Sequence, residues 1–326
     1  MTEDDLLDAI AETPNDDGPR LVYADWLQQQ VDELARARGE YLALSRTTVR
    51  PRPSLRLQAL LDRHEQGWLG PVARVTHARH WERGFLDRCA LRYNPNLADL
   101  DGEARGWWML RALDVDGATT VPVDRLAELL CHRSLGRLRS LRAHVALLQR
   151  IAESAHPPRL TELSSINVPA QLSEVLELLA ADCFASLIKL HVFHIRPAML
   201  TALRPGQILI LNDRPQALAL WLAALTDVRS PLAEVRLEST PSPVVFERRC
   251  MELVLHGTAG VWEHLEVRWV FDDDPRWRDE LLAVLPQLPA GAIRGLSFVG
   301  PPNARFDIAR FKQRVRTALP DVAVDG

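Results

Sequence analysis

Apolar residues follow two different periods along this chain. Up to residue 69 they recur at helical spacing, whereas from residue 81 onward they come in short runs typical of strands. The first pattern predicts a helix that begins after Thr2, where Asp5 completes a capping box, and three more helices at about 17–27, 33–44 and 55–69. The chain is therefore expected to begin with a small helical bundle.

The runs after residue 81 predict strands that alternate with helices. The expected strands are Trp81–Tyr93, Met109–Val115, Leu138–Val145, Leu160–Val168, Leu187–Ile195, Ile208–Asn212, Leu232–Ser239, Trp262–Val270 and Ile293–Val299. The expected helices are Val123–His132, Gln171–Ala181, Arg214–Thr226, Pro243–His256, Arg276–Leu285 and Asp307–Leu319. The equivalent strand positions, spaced 20 to 31 residues apart, are Leu113, Leu141, Leu163, Leu190, Ile210, Val235, Leu265 and Leu296.

This rhythm favours an α/β solenoid, because each unit has an apolar strand face and an apolar helix face that only a stacked neighbour can bury. A doubly wound α/β sheet also alternates strands and helices. It is the less favoured alternative, because no glycine-rich phosphate-binding motif follows any of the expected strands.

Two segments carry resemblances to known families. The run Asp16-Asp17-Gly18-Pro19-Arg20-Leu21-Val22-Tyr23-Ala24-Asp25-Trp26-Leu27, followed by Gly39-Glu40-Tyr41-Leu42-Ala43-Leu44, resembles the bacterial repeat-companion domain of myxobacteria and planctomycetes. Ala43 and Ser45 depart from that family's usual Arg and Gln. The later strand runs resemble a degenerate leucine-rich-repeat array of the ribonuclease-inhibitor-like kind.

Together the resemblances imply a helical repeat-companion domain with a basic linker at 1–70 and a leucine-rich-repeat-like horseshoe at 71–326. They imply no enzymatic activity. An enzyme with an unrecognised site remains an alternative.

Charge is unevenly placed. Residues 1–33 contain ten acids and one arginine, whereas residues 34–92 contain twelve arginines and five acids. The two segments are expected to neutralise each other in the fold. The alternative is nucleic-acid binding through segment 46–92, which begins with a linker containing Arg46, Arg50, Arg52 and Arg56. The formal net charge of −4 for the whole chain does not favour that alternative.

The sequence contains neither a metal-binding motif nor a segment typical of membrane proteins. Cys89, Cys131, Cys183 and Cys250 are widely spaced and form no metal-binding motif, so no metal or cofactor is expected. The acidic start does not fit a signal peptide, and no apolar run is long enough to span a membrane. A cytoplasmic location is therefore expected.

The expected function is recognition of a partner protein on the concave face of the solenoid. The strand residues predicted to face outward are Asp114, Asp116, Arg142, His144, Ser165, Asn167, His191, Phe193, Arg236, Glu238, Arg268 and Trp269. A second candidate docking surface on the helical cap consists of Asp16, Asp17, Arg20, Tyr23, Asp25 and Trp26. For these six residues, helix capping and interhelical ion pairs are the structural alternative.

Overall fold

The computed structural model describes most of the first half of the chain and the main strands and helices of the second. The described ranges are 2–45, 54–166, 181–192, 207–212, 234–239, 251–258, 261–269, 275–288, 293–299 and 308–325, with the single residues 178, 203, 218, 221 and 232. The chain divides into two compact units, Met1–Leu160 and Thr161–Gly326. The predicted boundary after residue 70 falls within the first unit, between the helices Leu55–Leu69 and Pro71–Val75. The assignment of separate domains at 1–70 and 71–326 stays a prediction.

The first unit begins with helices, as the apolar spacing predicts. Its helices are α1 (Glu3–Glu12), α2 (Gly18–Gln28), α3 (Glu33–Ser45), α4 (Leu55–Leu69), α5 (Pro71–Val75), α6 (Val123–Leu130) and α7 (Val145–Ala152). The predicted capping box is present, since Thr2 Oγ1 accepts from the Asp5 N–H at 3.2 Å and Asp5 accepts from the Thr2 N–H at 2.6 Å. Helix α7 differs from the expectation, since no helix is expected there and the strand expected over Leu138–Val145 ends where this helix begins.

The strands of the first unit are β1 (Thr76–Glu82), β2 (Phe85–Leu91), β3 (Ala112–Asp114) and β4 (Ser140–Arg142). The prediction of one strand over Trp81–Tyr93 is wrong, because the chain turns between antiparallel β1 and β2. Arg83 and Gly84 form this turn with φ values of +48° and +86°. Strands β2, β3 and β4 then pair in parallel and in chain order.

The second unit contains β5 (Glu162–Ile166), β6 (Lys189–Val192), β7 (Ile208–Asn212), β8 (Glu234–Ser239), β9 (Met251–Thr258), β10 (Val261–Trp269), β11 (Gly295–Val299) and β12 (Ala323–Asp325), with helices α8 (Pro275–Val284) and α9 (Ile308–Ala318). Neighbouring strands pair in chain order, in parallel except where β9 lies antiparallel to both β8 and β10. The predicted helix Pro243–His256 is wrong over its last residues, which belong to β9. The helices predicted at 171–181 and 214–226 lie mainly outside the described residues.

A row of buried apolar residues, mostly leucines and called the leucine row below, runs across the paired strands of each unit. In the first unit it consists of Cys89, Leu113 and Leu141. In the second unit it consists of Leu163, Leu190, Leu209, Val235, Leu255, Leu265 and Leu296. The predicted equivalence of Ile210 is wrong by one position, because Leu190 pairs with Leu209. Side chains alternate between faces along a strand, so this slip would have moved the whole strand to the wrong face.

The architecture is mixed α/β, with helices at the amino-terminal end and strands that follow chain order within each unit. A doubly wound sheet reverses its strand order at a switch point, and the described strands of neither unit do so.

Close packing of α2 against α3 depends on Gly39. A Cβ added to Gly39 would lie 2.5 Å from the Ala24 carbonyl oxygen and 2.8 Å from Gln28 Cγ. Both contacts are too short for carbon, and one of them is to backbone, which cannot rotate away. Only glycine therefore allows the two helices to approach this closely.

We predict that Gly39→Ala lowers the free energy of unfolding by about 1–3 kcal/mol, the usual cost of overpacking. Gly18→Ala is the matched control, because its Cβ would meet nothing closer than 3.4 Å. Urea denaturation followed by circular dichroism measures both. Equal stability of the two variants would contradict the close approach at Gly39.

Candidate functional site

On β8 to β11, the face of the second unit's strands opposite the leucine row carries mainly polar side chains, with the buried Val254 among them. On these four strands the register aligns charged, histidine and serine side chains that share this face with one another. They are Glu234, Arg236, His256, His264, Glu266, Arg268 and Ser297. This set is called the polar strand face below. It contains two residues predicted from the sequence, Arg236 and Arg268.

Ion pairs order the polar strand face. Arg236 pairs with Glu234, and Arg268 pairs with Glu266. His256 lies between the two carboxylates, with Nδ1 3.9 Å from Glu234 Oε2 and Nε2 3.5 Å from Glu266 Oε2. The hydrogen bond from Arg268 holds the pKa of Glu266 below its usual value, against the opposing effect of burial. The contacts with Arg236, Arg268 and His256 hold both carboxylates in place.

The first unit has a similar but smaller polar group beside its leucine row. Arg142 lies between two aspartates, with Nη1 3.4 Å from Asp114 Oδ2 and Nη2 3.4 Å from Asp116 Oδ2. Burial raises the pKa of Asp114, and Arg142 partly offsets this rise. The structure thus brings together three of the side chains that the sequence predicted to face outward.

The remaining predicted strand residues divide into three groups. His144 precedes α7 as its N-cap residue and so lies past the end of β4. Ser165, His191, Glu238 and Trp269 have their backbones in β5, β6, β8 and β10, but their side chains lie outside the described part of the structure. Asn167 and Phe193 lie outside the described residues altogether.

The six predicted residues of the helical cap do not form one surface. Arg20 is buried and donates to the carbonyl oxygens of Asp16 and Pro14, each at 2.6 Å, so it fixes the connection between α1 and α2. Asp17 lies 3.4 Å from Arg83 on the β1–β2 turn. Asp25 is exposed. Among the six, Tyr23 and Trp26 line a cavity. Arg20 and Asp17 have structural contacts, although these are bonds to backbone carbonyls and an ion pair with the hairpin turn, not the expected helix capping or interhelical ion pairs.

That cavity lies within the first unit and has a volume of about 640 Å³. Its walls are largely apolar and aromatic, with a few polar groups. Among the residues that line it are Leu7, Tyr23, Trp26, Gln30, Arg38, Trp68, Phe85, Arg105 and Trp108. Volume and lining both fall in the range of small-molecule sites.

Arg38 is the residue of this cavity that sequence reasoning missed. Its guanidinium carbon lies 4.9 Å from the ring centres of Trp68 and of Trp81, 5.3 Å from that of Phe85 and 5.9 Å from that of Tyr41. Its position four residues after Leu34 and three before Tyr41 places it on the apolar side of α3. This spacing in the sequence indicates that Arg38 faces the interior of the helical part.

The arginine-rich segment is mostly paired with acids. Of the seven arginines in the described residues 54–92, six have a carboxylate within 4 Å. Arg56 pairs with Glu40 through two hydrogen bonds of 2.6 and 2.7 Å, and Arg83 and Arg63 reach Asp17 and Glu33 of the acidic segment. Only these last two pairs join the basic segment to residues 1–33, whereas the other four arginines pair with acids at Glu40, Glu65, Asp87 and Asp99. Arg46, Arg50 and Arg52 lie outside the described residues.

One group of side chains in the described ranges has the composition of a cation site. His80, Glu82 and Asp87 place their ligand atoms within 4.8 Å of one another on the β1–β2 hairpin. Arg111 already contacts both Glu82 and Asp87 and supplies the positive charge there. We assign no metal to this group.

Comparisons of the chain with protein-family models, with curated proteins and with solved structures found no match. Among the helices that the structure describes, none combines the length and the apolar character needed to cross a membrane.

The pairing of Glu266 with Arg268 gives a pH-dependent prediction. Glu266→Gln should lower the free energy of unfolding by roughly 0.5–1 kcal/mol at pH 7. Because the folded protein lowers the pKa of Glu266, this stabilisation is present above the unfolded pKa and is lost as pH falls through the folded pKa. The difference from wild type should therefore begin to shrink near the ordinary glutamate pKa of about 4.3 and vanish only below the lowered pKa of folded Glu266.

Urea unfolding at a series of pH values measures this difference. Glu263→Gln is the control, since Glu263 lies on the same strand but is exposed, and its contact with Arg294 is long at 3.9 Å. A Glu266→Gln effect that is absent at pH 7, or that grows toward acid pH, would contradict the assignment.

Proposed function

We propose that this chain is a non-enzymatic binding protein that recognises a partner protein through the polar strand face of its second unit. The observation that carries the proposal is the strand register. It buries one face of the strands as a leucine row and places carboxylates, guanidiniums and histidines on the opposite face, around the buried Val254.

The charges on this face suit a protein partner better than a polyanion. Glu234, Arg236 and Glu266 have only about a fifth of their side-chain surface exposed, and their ion pairs fix their positions. Fixed charges of both signs give specificity, because a partner must place the opposite sign at each position. A nucleic acid offers phosphates of one sign and would meet Glu234 and Glu266 with repulsion.

The resemblances noted in the sequence support a more specific form of the proposal. In a leucine-rich-repeat-like horseshoe, the polar strand face would be the concave surface, which is the usual binding surface of such solenoids. The repeat-companion-like helices would then cap the array. A cytoplasmic scaffold, adaptor or specificity subunit of a bacterial signalling or defence system would have this organisation.

The proposal predicts that charge reversal on the polar strand face abolishes partner binding. Affinity purification of the wild-type chain from its native host should retain a stoichiometric protein, and Arg236→Glu combined with Arg268→Glu should reduce that retention by more than about tenfold. The control is Arg314→Glu combined with Arg316→Glu, two exposed positions on α9.

Mass spectrometry and nucleic-acid staining of the retained material give the readout. Equal retention of the partner by both double variants would show that the partner binds to a different surface. Retention of nucleic acid in place of a protein would contradict the proposal and favour nucleic-acid binding through the arginine-rich segment.

A further inference from the structure

We propose that the cavity of the first unit binds a small organic anion, namely a carboxylate attached to a flat apolar body, with the carboxylate on Arg38. This inference goes beyond the proposed function and does not rest on it. It concerns a different unit and a different class of ligand.

The first step is the state of Arg38. Arg38 lines the cavity, and its Nη1 atom is buried with no hydrogen-bond partner among the described residues. Burial lowers the pKa of Arg38 to about 10, and Tyr23 and Tyr41 counter part of this fall. The group is therefore still a cation at neutral pH, and no described acid compensates it.

The second step is the contrast with Arg105, the other arginine that lines the cavity. Arg105 forms an ion pair with Glu3, and the same carboxylate accepts a hydrogen bond of 2.7 Å from the Tyr23 hydroxyl. Glu3 is thus already engaged, and Asp32, the other acid of the lining, accepts from the N–H groups of Leu34 and Ala35. Arg38 is left as the cation that an incoming carboxylate can neutralise.

The third step is the aromatic surround. The rings of Trp68, Trp81, Phe85 and Tyr41 lie around the Arg38 guanidinium and hold it by cation–π attraction. Such rings offset part of the cost of burying the charge but accept no N–H hydrogen bonds in its plane. The guanidinium is therefore held in place while its Nη1 donor has no hydrogen-bond partner among the described residues. A fixed cation with an unbonded donor is preorganised to bind an anion.

The fourth step is the rest of the cavity wall. Trp26, Trp68 and Trp108 offer flat apolar surfaces, and Leu7 and Met109 add aliphatic ones. An inorganic anion would leave these surfaces in contact with water. A ligand that joins a carboxylate to a planar apolar group satisfies both the charge and the walls.

Isothermal titration calorimetry with two isosteric probes tests this inference on the full chain. The probes are 1-naphthylacetate, which carries the carboxylate, and 1-naphthylacetamide, which is neutral. We expect the wild-type chain to bind the carboxylate at least about tenfold more tightly than the amide, as a charge-assisted hydrogen bond provides. Equal affinities, or no binding of the carboxylate at about 1 mM, would overturn the proposal.

Two variants locate the site. Arg38→Met should remove the preference for the carboxylate, whereas Arg36→Met, an exposed arginine of the same helix, should keep it. Ala35→Phe narrows the cavity without changing its charge and should weaken both probes by about tenfold or more. Circular dichroism confirms that each variant is folded. A carboxylate preference that persists in folded Arg38→Met, or unchanged binding in folded Ala35→Phe, would place the anion elsewhere.

Discussion

Burial of one row of apolar side chains along strands in register is the interaction on which the rest of the structure depends. Each strand is only three to nine residues long, too short to bury its apolar face without a neighbour on either side. Stacking Leu113 on Leu141, and Leu265 on Leu255 and Leu296, supplies those neighbours. The same alternation that hides the leucines presents the polar residues on the opposite face. The register of the strands therefore determines both the buried core and the candidate binding surface.

Local periodicity predicted much of this fold, because it reports a residue's own element. Helices α1 to α4 and strands β7, β10 and β11 follow from apolar spacing and caps, and α4 has its predicted bounds. Pairing between strands is not a local property. Leu209 and Ile210 are both apolar, so the sequence could not decide which of them faces the row. The β1–β2 turn depends on positive φ at Arg83, which is an unusual conformation for arginine and carries no local signal.

Two arrangements of charge distinguish the candidate sites. On the polar strand face each guanidinium has a carboxylate beside it, so the surface is nearly neutral and specific in pattern. In the helical part, Arg38 is surrounded by aromatic rings and has no carboxylate among the described residues. Sequence patterns indicated the strand residues because charges alternated with leucines. They did not indicate Arg38, since a charged residue on an apolar helix face is usually counted as a break in the pattern.

The central claim is that the polar strand face is the surface that a partner protein covers. Carbodiimide labelling of carboxylates, read by mass spectrometry with and without the purified partner, tests it most directly. The account predicts that Glu234 and Glu266 lose labelling in the complex, whereas Glu128 and Glu153, exposed at the helices of the first unit, keep theirs. Unchanged labelling of Glu234 and Glu266, together with protection of Glu128 and Glu153, would contradict it.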